Sequence, residues 1–425
     1  MRFELASTLL IATPLWAQPP TLQLTLAEAE KLAIQNNPQF PAAQLNAAAA
    51  YQVPLEYRAG LKPVLSGAVT GVGADSGSRL AAGALNNPVV YDRLGTGLVA
   101  SQLLTDFGRT SNLVASSKLR AQAQDQATET TRANILIATA RGYFSLLRSR
   151  SVLTVAEQTV AARQLVSDQV TALANSNLKS ALDVSFANVN LADAQLLLSQ
   201  AQNGVNAAEA ELAAALGLPS QTAFSLQEEP LPDPLPDSVD ILLQQALRDR
   251  PELKDLRLEQ SAAELTVKAE RALNYPNIGL IATAGFVPAG EAAIPGRYGA
   301  VGLNVNIPVF NGGLFRARQT EADLKAKAAN ENVNDLANRV TRDVRVAYLD
   351  SRTAFERLSL TDQLLRQAQL ALDLARGRYD LGLSSIVELS QAQLNLTSAQ
   401  IAVASARYDY QTDRAILDYQ TGALR

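Results

Sequence analysis

The stretch from Asn311 to Gly422 decides the fold, and its centre reads Arg378-Tyr379-Asp380-Leu381-Gly382-Leu383-Ser384-Ser385-Ile386-Val387-Glu388-Leu389. It predicts one very long helix, a tight reversal at Asp380-Leu381-Gly382-Leu383, and a second helix returning. The returning segment carries a seven-residue ladder, Leu389, Leu396, Val403, Tyr410 and Leu417, the mark of a helix packed along its length on another helix. A second ladder, Val387, Leu394, Ile401, Tyr408 and Ala415, lies roughly 150° away around the axis. A helix with apolar rows on nearly opposite sides is held between two neighbours, as a stave is held in the wall of a tube.

The same pattern occurs earlier at a constant offset of 205 residues, the distance from Gly217 to Gly422. Tyr143 matches Tyr348, Leu178 matches Leu383, Ser180 matches Ser385, and Asn190-Leu191 matches Asn395-Leu396. The ladder recurs as Val184, Leu191, Leu198, Val205 and Leu212. Self-similarity over so long a period means a duplicated structural unit. We expect a signal peptide at 1–17, a first repeat at 18–217, a Pro-rich extended linker at 218–238, and a second repeat at 239–425. The leader reading rests on the apolar run Leu5 to Trp16 with cleavage after Ala17.

Upstream of each long helix the period changes from helical to alternating. Val301, Leu303, Val305, Ile307 and Val309 alternate with Gly302, Asn304, Asn306 and Pro308, and Ile278 to Phe286 behaves likewise. Strands are expected at about 63–73, 94–104, 276–287 and 298–309, each of roughly the length a tilted strand needs to cross a bilayer. Tyr275 and Phe310 at one end, with Phe286 and Tyr298 at the other, read as two aromatic girdles. A half-buried soluble hairpin is the alternative. From about 107–175 and 313–380 run proline-free helices, each ~100 Å long at ~1.5 Å per residue. They return over 180–216 and 385–421. Nearer the start, Thr25 and Glu28 fit a capping box, and Gln39 to Ala59 reads as one Ala-rich helix.

Composition removes most chemistry. The chain has no histidine, no cysteine and a net charge of −4. Disulfides, thiol catalysis, Ser-His-Asp arrangements and most zinc and haem sites are therefore excluded, and without a strong basic block nucleic acid is no partner. No enzyme activity, cofactor or dedicated metal site is expected. Four membrane-length strands cannot close a barrel, because an open edge in lipid leaves backbone groups unpaired. Copies must share one: eight strands fill with side chains, whereas twelve can leave a lumen. A conduit follows; the competing reading is a periplasmic coiled-coil adaptor or envelope scaffold without a pore.

The order of short helix, Asn37-Pro38, helix, strand pair, long helix, tip and return helix, all duplicated, resembles the TolC-type outer-membrane efflux proteins. Leu26-Ala27-Glu28-Ala29, Ile307-Pro308-Val309-Phe310-Asn311-Gly312-Gly313 and the Arg378 to Leu389 stretch carry the likeness most specifically. The resemblance implies a mainly α chain with a small transmembrane β portion: a homotrimer with a twelve-stranded barrel in outer-membrane lipid, continued by a periplasmic α-helical barrel. It implies a passive exit duct for tripartite efflux or type I secretion. The partners would be a periplasmic adaptor and an inner-membrane transporter of RND, ABC or MFS type. On this resemblance Gly382, Leu383 and Ser384, with Leu178 of the first repeat, would contact the adaptor. Asp183 and Glu388 would ring the tunnel entrance and bind cations weakly, and Tyr379 would join them in the gate. Two departures stand out: Asn177-Leu178-Lys179 replaces the Gly-Leu-Ser type turn, and Ser384 stands where some members carry a gate arginine. Asp183 and Glu388 also fit capping boxes with Ser180 and Ser385.

Overall fold

The computed structural model describes residues 22–75, 78, 89–219, 222–236, 238–290, 292 and 295–424. The leader expected at 1–17 lies outside them. The elements run β1 (Leu22–Leu24), α1 (Leu26–Asn36), α2 (Gln39–Ala50), α3 (Val53–Ala59), β2 (Val64–Val72), β3 (Arg93–Thr105), α4 (Arg109–Asn175) and α5 (Ala181–Ala215). Then come β4 (Phe224–Leu226), α6 (Val239–Asp249), α7 (Pro251–Ala272), β5 (Asn277–Gly290), β6 (Arg297–Asn306), α8 (Leu314–Asp380) and α9 (Ile386–Thr421). The two long helices α4 and α8 have 67 residues each.

Local chemistry sets the boundaries. Thr25 and Glu28 close a reciprocal capping box at the start of α1. Gly108 and Gly313 hold the left-handed backbone that launches α4 and α8. The Ala-rich run is two helices, not one, broken at Tyr51-Gln52, where Pro54 in the first turn of α3 has no N–H to continue the α2 ladder. The last residues of the expected fourth strand, Ile307 to Val309, are not strand. Among the described residues β6 has no partner on its outer side, and Pro308 offers no donor.

The strands form one four-stranded antiparallel sheet in the order β2-β3-β5-β6. The middle pair joins the two repeats, with Ala100 opposite Ala282 and Gly97 opposite Gly285. The long helices pack in the order α5, α4, α9, α8, and α7 wedges between α4 and α8. The main core lies where α1 and the ends of α5 and α9 meet the middle of α4, around Tyr143, Leu146 and Leu212.

The linker is more than a spacer. Its β4 pairs in parallel with β1 (Leu24 opposite Leu226), a short parallel pairing that neither three-residue strand signals alone. Tyr143 donates to the carbonyls of Gln227 (2.6 Å) and Leu24 (3.1 Å). Its repeat mate Tyr348 donates to Pro236 (2.9 Å). Gln411 and Arg414 of α9 hold the carbonyls of Glu229 and Asp233. The extended prolines leave these carbonyls unused by local structure, so side chains of both repeats can take them.

One half-buried charge opposes folding here. Burial, and then the nearby Asp350 and Asp409, push the Asp413 carboxyl up to about 6, against the pull of Arg357. A raised carboxylate destabilises the fold above its folded pKa. The penalty is absent below the unfolded value, grows between there and about pH 6, and is complete above it. Asp413→Asn is therefore expected to stabilise the protein at pH 8 by on the order of 1 kcal/mol, discounted for half exposure, and to do nothing at pH 4. Thermal unfolding in detergent at the two pH values checks this.

Candidate functional site: the open sheet and the helix tips

Side chains alternate across the sheet. Leu65, Val69, Leu98, Ala282, Phe286, Val301, Leu303 and Val305 share one face through the pairing register. Ser66, Thr70, Ser101, Thr283, Gly302, Asn304 and Asn306 share the other. The first face suits hydrocarbon and the second water. At the helix end Tyr275 stacks on Phe107 with ring centroids 5.7 Å apart, and Phe310 is exposed beside that end of the sheet. At the loop end the expected aromatic pair divides. Phe286 stays on the apolar face. Tyr298, one residue out of phase, turns to the other face and lies across Gly285 and Gly97 with its hydroxyl 3.5 Å from the Thr96 carbonyl. Tyr298 is thus no part of a lipid girdle.

The tips are two copies of one turn. Leu178 N–H returns to the Leu173 carbonyl at 2.9 Å, and Leu383 N–H to Arg378 at 2.8 Å. The reversal needs one left-handed residue. Gly382 supplies it at φ 72°, and Asn177 does the same at φ 60°, a conformation asparagine tolerates better than most residues. The first tip therefore keeps its geometry without glycine. Leu178, Leu381 and Leu383 project into solvent, 70%, 75% and 67% exposed, while Ser384 turns inward with a buried Oγ that meets no partner.

The carboxylates part company. Asp183 closes its capping box: it accepts from the Ser180 N–H (3.0 Å) and hydroxyl (2.8 Å). Those bonds, backbone first, hold it below the usual carboxylate range, with a smaller pull from Lys179. Glu388 does not close one. Its N–H reaches Ser385 Oγ, but its carboxylate swings to Arg378 Nε at 3.1 Å. A cation on the preceding helix outcompetes the cap because the charged pair is the stronger bond. Tyr379 packs with Val170, Ala187, Ile386 and Leu389, its hydroxyl buried and unpartnered. The Lys179 ammonium sits 3.9 Å from its ring centroid. Lys179 and Arg378 were not legible as site residues, because each partner lies across a turn or on the other hairpin.

No helix among the described residues is long and apolar enough to cross a membrane, and the described residues hold no cluster of potential metal ligands. The family model for outer membrane efflux proteins matches residues 30–218 and 242–423. The chain is 26% identical over 422 residues to the outer membrane protein TolC of Salmonella enteritidis, covering 94% of this chain and 83% of that protein. It is likewise 26% identical over 420 residues to the alkaline protease secretion protein AprF of Pseudomonas aeruginosa, covering 94% and 85%. A solved membrane protein from Pseudomonas aeruginosa superposes with TM-score 0.83 at 21% identity, covering 93% of each chain, and shares the fold. An alternating four-stranded sheet with one apolar face, continued by paired helices of such length, is what a channel wall requires, and the chain belongs to the outer membrane efflux protein family, its four-stranded sheet in the outer membrane and its helical portion in the periplasm.

Proposed function

We propose that the chain assembles as a homotrimeric exit duct, docked through a periplasmic adaptor onto an inner-membrane transporter of RND, ABC or MFS type, for tripartite efflux or type I secretion. The carrying observation is that, among the described residues, both outer strands, β2 and β6, have an unpaired edge, which lipid does not tolerate. The helices repeat the problem: α5 exposes Leu182, Val189 and Leu196, and α8 exposes Leu360 and Leu374, at heptad spacing. Exposed Leu178 and Leu383, with the Gly382-Leu383-Ser384 turn, form the adaptor contact at the tips. Asp183, Tyr379 and Glu388 form the gate.

The duplication supports one way for copies to join. Strand β3 corresponds to β6 at the 205 offset, and β2 to β5 at 213, the distance from Pro63 to Pro276. Carrying the β3–β5 register across the repeat pairs β6 of one protomer with β2 of the next. Val305 then faces Val69, Asn304 faces Thr70, and Leu303 faces Gly71, so at the centre of the seam an apolar pair and a polar pair meet in register. The chain contains no cysteine, so Thr70→Cys with Asn304→Cys gives a clean test. Oxidation is expected to yield covalent trimers from membranes, whereas Thr70→Cys with Gly302→Cys, one diagonal away, stays uncrosslinked. A soluble monomer with neither product refutes the assembly and favours the scaffold.

A further inference from the structure

We propose that each protomer holds a binding site for a free anionic amphiphile, a carboxylate head on an alkyl body, in the cavity between its two helical hairpins. The cavity measures about 620 Å³, within the range of small-molecule sites. It is lined by α4, α8 and α9 of a single chain, so the site stands apart from how copies assemble. Leu165 and Leu173, which line it on α4, are themselves exposed, and this leaves the cavity open to solvent.

One buried cation sets its character. Arg163 lies in the wall at 6% exposure, and a guanidinium keeps its charge under all ordinary conditions. Among the described residues it makes no ion pair; its bond is to the neutral Gln393. Burial pulls its pKa down, and Asp193 offsets part of this through space without a bond. The carboxylate that does line the cavity, Asp380, follows Tyr379, which packs on Val170, two turns of α4 beyond Arg163. A buried charge is ordinarily matched by a counter-charge, and here the matching acid is missing from the wall. The fold does not call for the arginine. At the 205 offset its repeat mate is Ala368, equally buried, so the second repeat fills the same place with a methyl group.

The remaining wall says what the anion carries. From Arg163 toward the tip α4 presents Val166, Val170 and Leu173, an apolar run of ~15 Å at ~1.5 Å per residue, with Leu372 and Leu389 lining it from α8 and α9. A small hydrated anion leaves that surface unused, whereas an alkyl chain covers it. The source is a free molecule and not a bilayer lipid, because Arg163 stands ~80 Å along α4 from its sheet end.

Photolabelling of the purified full-length protein in an uncharged maltoside tests this. The probes are decanoate with a diazirine at its tail and the matching decylamine, and the adducts are mapped by peptide mass spectrometry. Both probes enter the micelle and label the apolar sheet face at Val301, Leu303 and Val305, which serves as the internal reference. Against that reference decanoate is expected to label the cavity stretches of α4 and α9 about tenfold more than decylamine, the factor that one charge-assisted hydrogen bond supplies. Arg163→Gln is expected to remove the excess, and Arg163→Lys to keep most of it. Equal cavity labelling by acid and amine on the parent protein, a comparison that needs no variant, overturns the proposal. An excess that survives Arg163→Gln overturns the role of the arginine. Absence of cavity adducts from either probe overturns the site itself, and leaves the shared barrel to its own cysteine test.

Discussion

Gly285→Ala is expected to abolish the assembled channel, although it adds a single methyl group to an exposed strand. A Cβ at Gly285 would overlap the carbonyl oxygen of Thr96 in the neighbouring strand and lie 2.5 Å from the Tyr298 ring. The tyrosine can rotate away, but the carbonyl belongs to the β3–β5 ladder that joins the two repeats and cannot. Overpacking of this kind costs about 2 kcal/mol per site, and a threefold assembly incurs it three times. The heat-resistant oligomer on gels should disappear and the protein should be depleted from outer membranes. Gly285→Ala with Tyr298→Ala should not restore it, since the backbone overlap remains. Gly302→Ala, on the same face of the adjacent strand with nothing within 4 Å of its Cβ direction, should assemble normally. A normal oligomer in Gly285→Ala would show that the sheet can shift without consequence, and would undo the argument.

That sheet was legible in outline and not in detail. The helices could be read because their signals are long: a heptad ladder repeated twice, and proline-free runs ending at turns. The alternation of Val301, Leu303 and Val305 against Gly302, Asn304 and Asn306 likewise assigns faces by itself. What escaped was whatever depends on partners distant in sequence. Three-residue strands such as β1 and β4 carry almost no periodic signal and exist because they meet each other. Tyr298 reads as a girdle residue by its position near a strand end, but its phase in the ladder turns it to the other face. At the tips, the capping boxes at Ser180 and Ser385 look alike in sequence, yet Arg378 lies close enough to take Glu388 away from the second. The tip residues can be located along the chain from the two turns, while the bonds that distinguish them came from neighbours across the turn.

Neutralising the tip carboxylates separates a structural role from an electrostatic one. Asp183→Asn keeps an oxygen that can accept the Ser180 bonds and so preserves the cap, while removing the charge. Glu388→Gln removes a charge that Arg378 already offsets in each protomer. Together, in the proposed trimer, they would delete six like charges at the entrance. Such gathering favours cation binding. The double variant is therefore expected to weaken block of the conductance by divalent cations about tenfold or more, with most of the change from Asp183. Arg378→Gln should act in the opposite direction, strengthening block, because it leaves Glu388 unpaired at the entrance. Single-channel recordings with added Mg²⁺ at low ionic strength read all three. Unchanged block in the double variant would reduce both residues to helix capping and ion pairing. A stronger block in Arg378→Gln would show that the entrance is tuned by how many of its carboxylates are left uncompensated, so that the arginine governs the ring as much as the acids do.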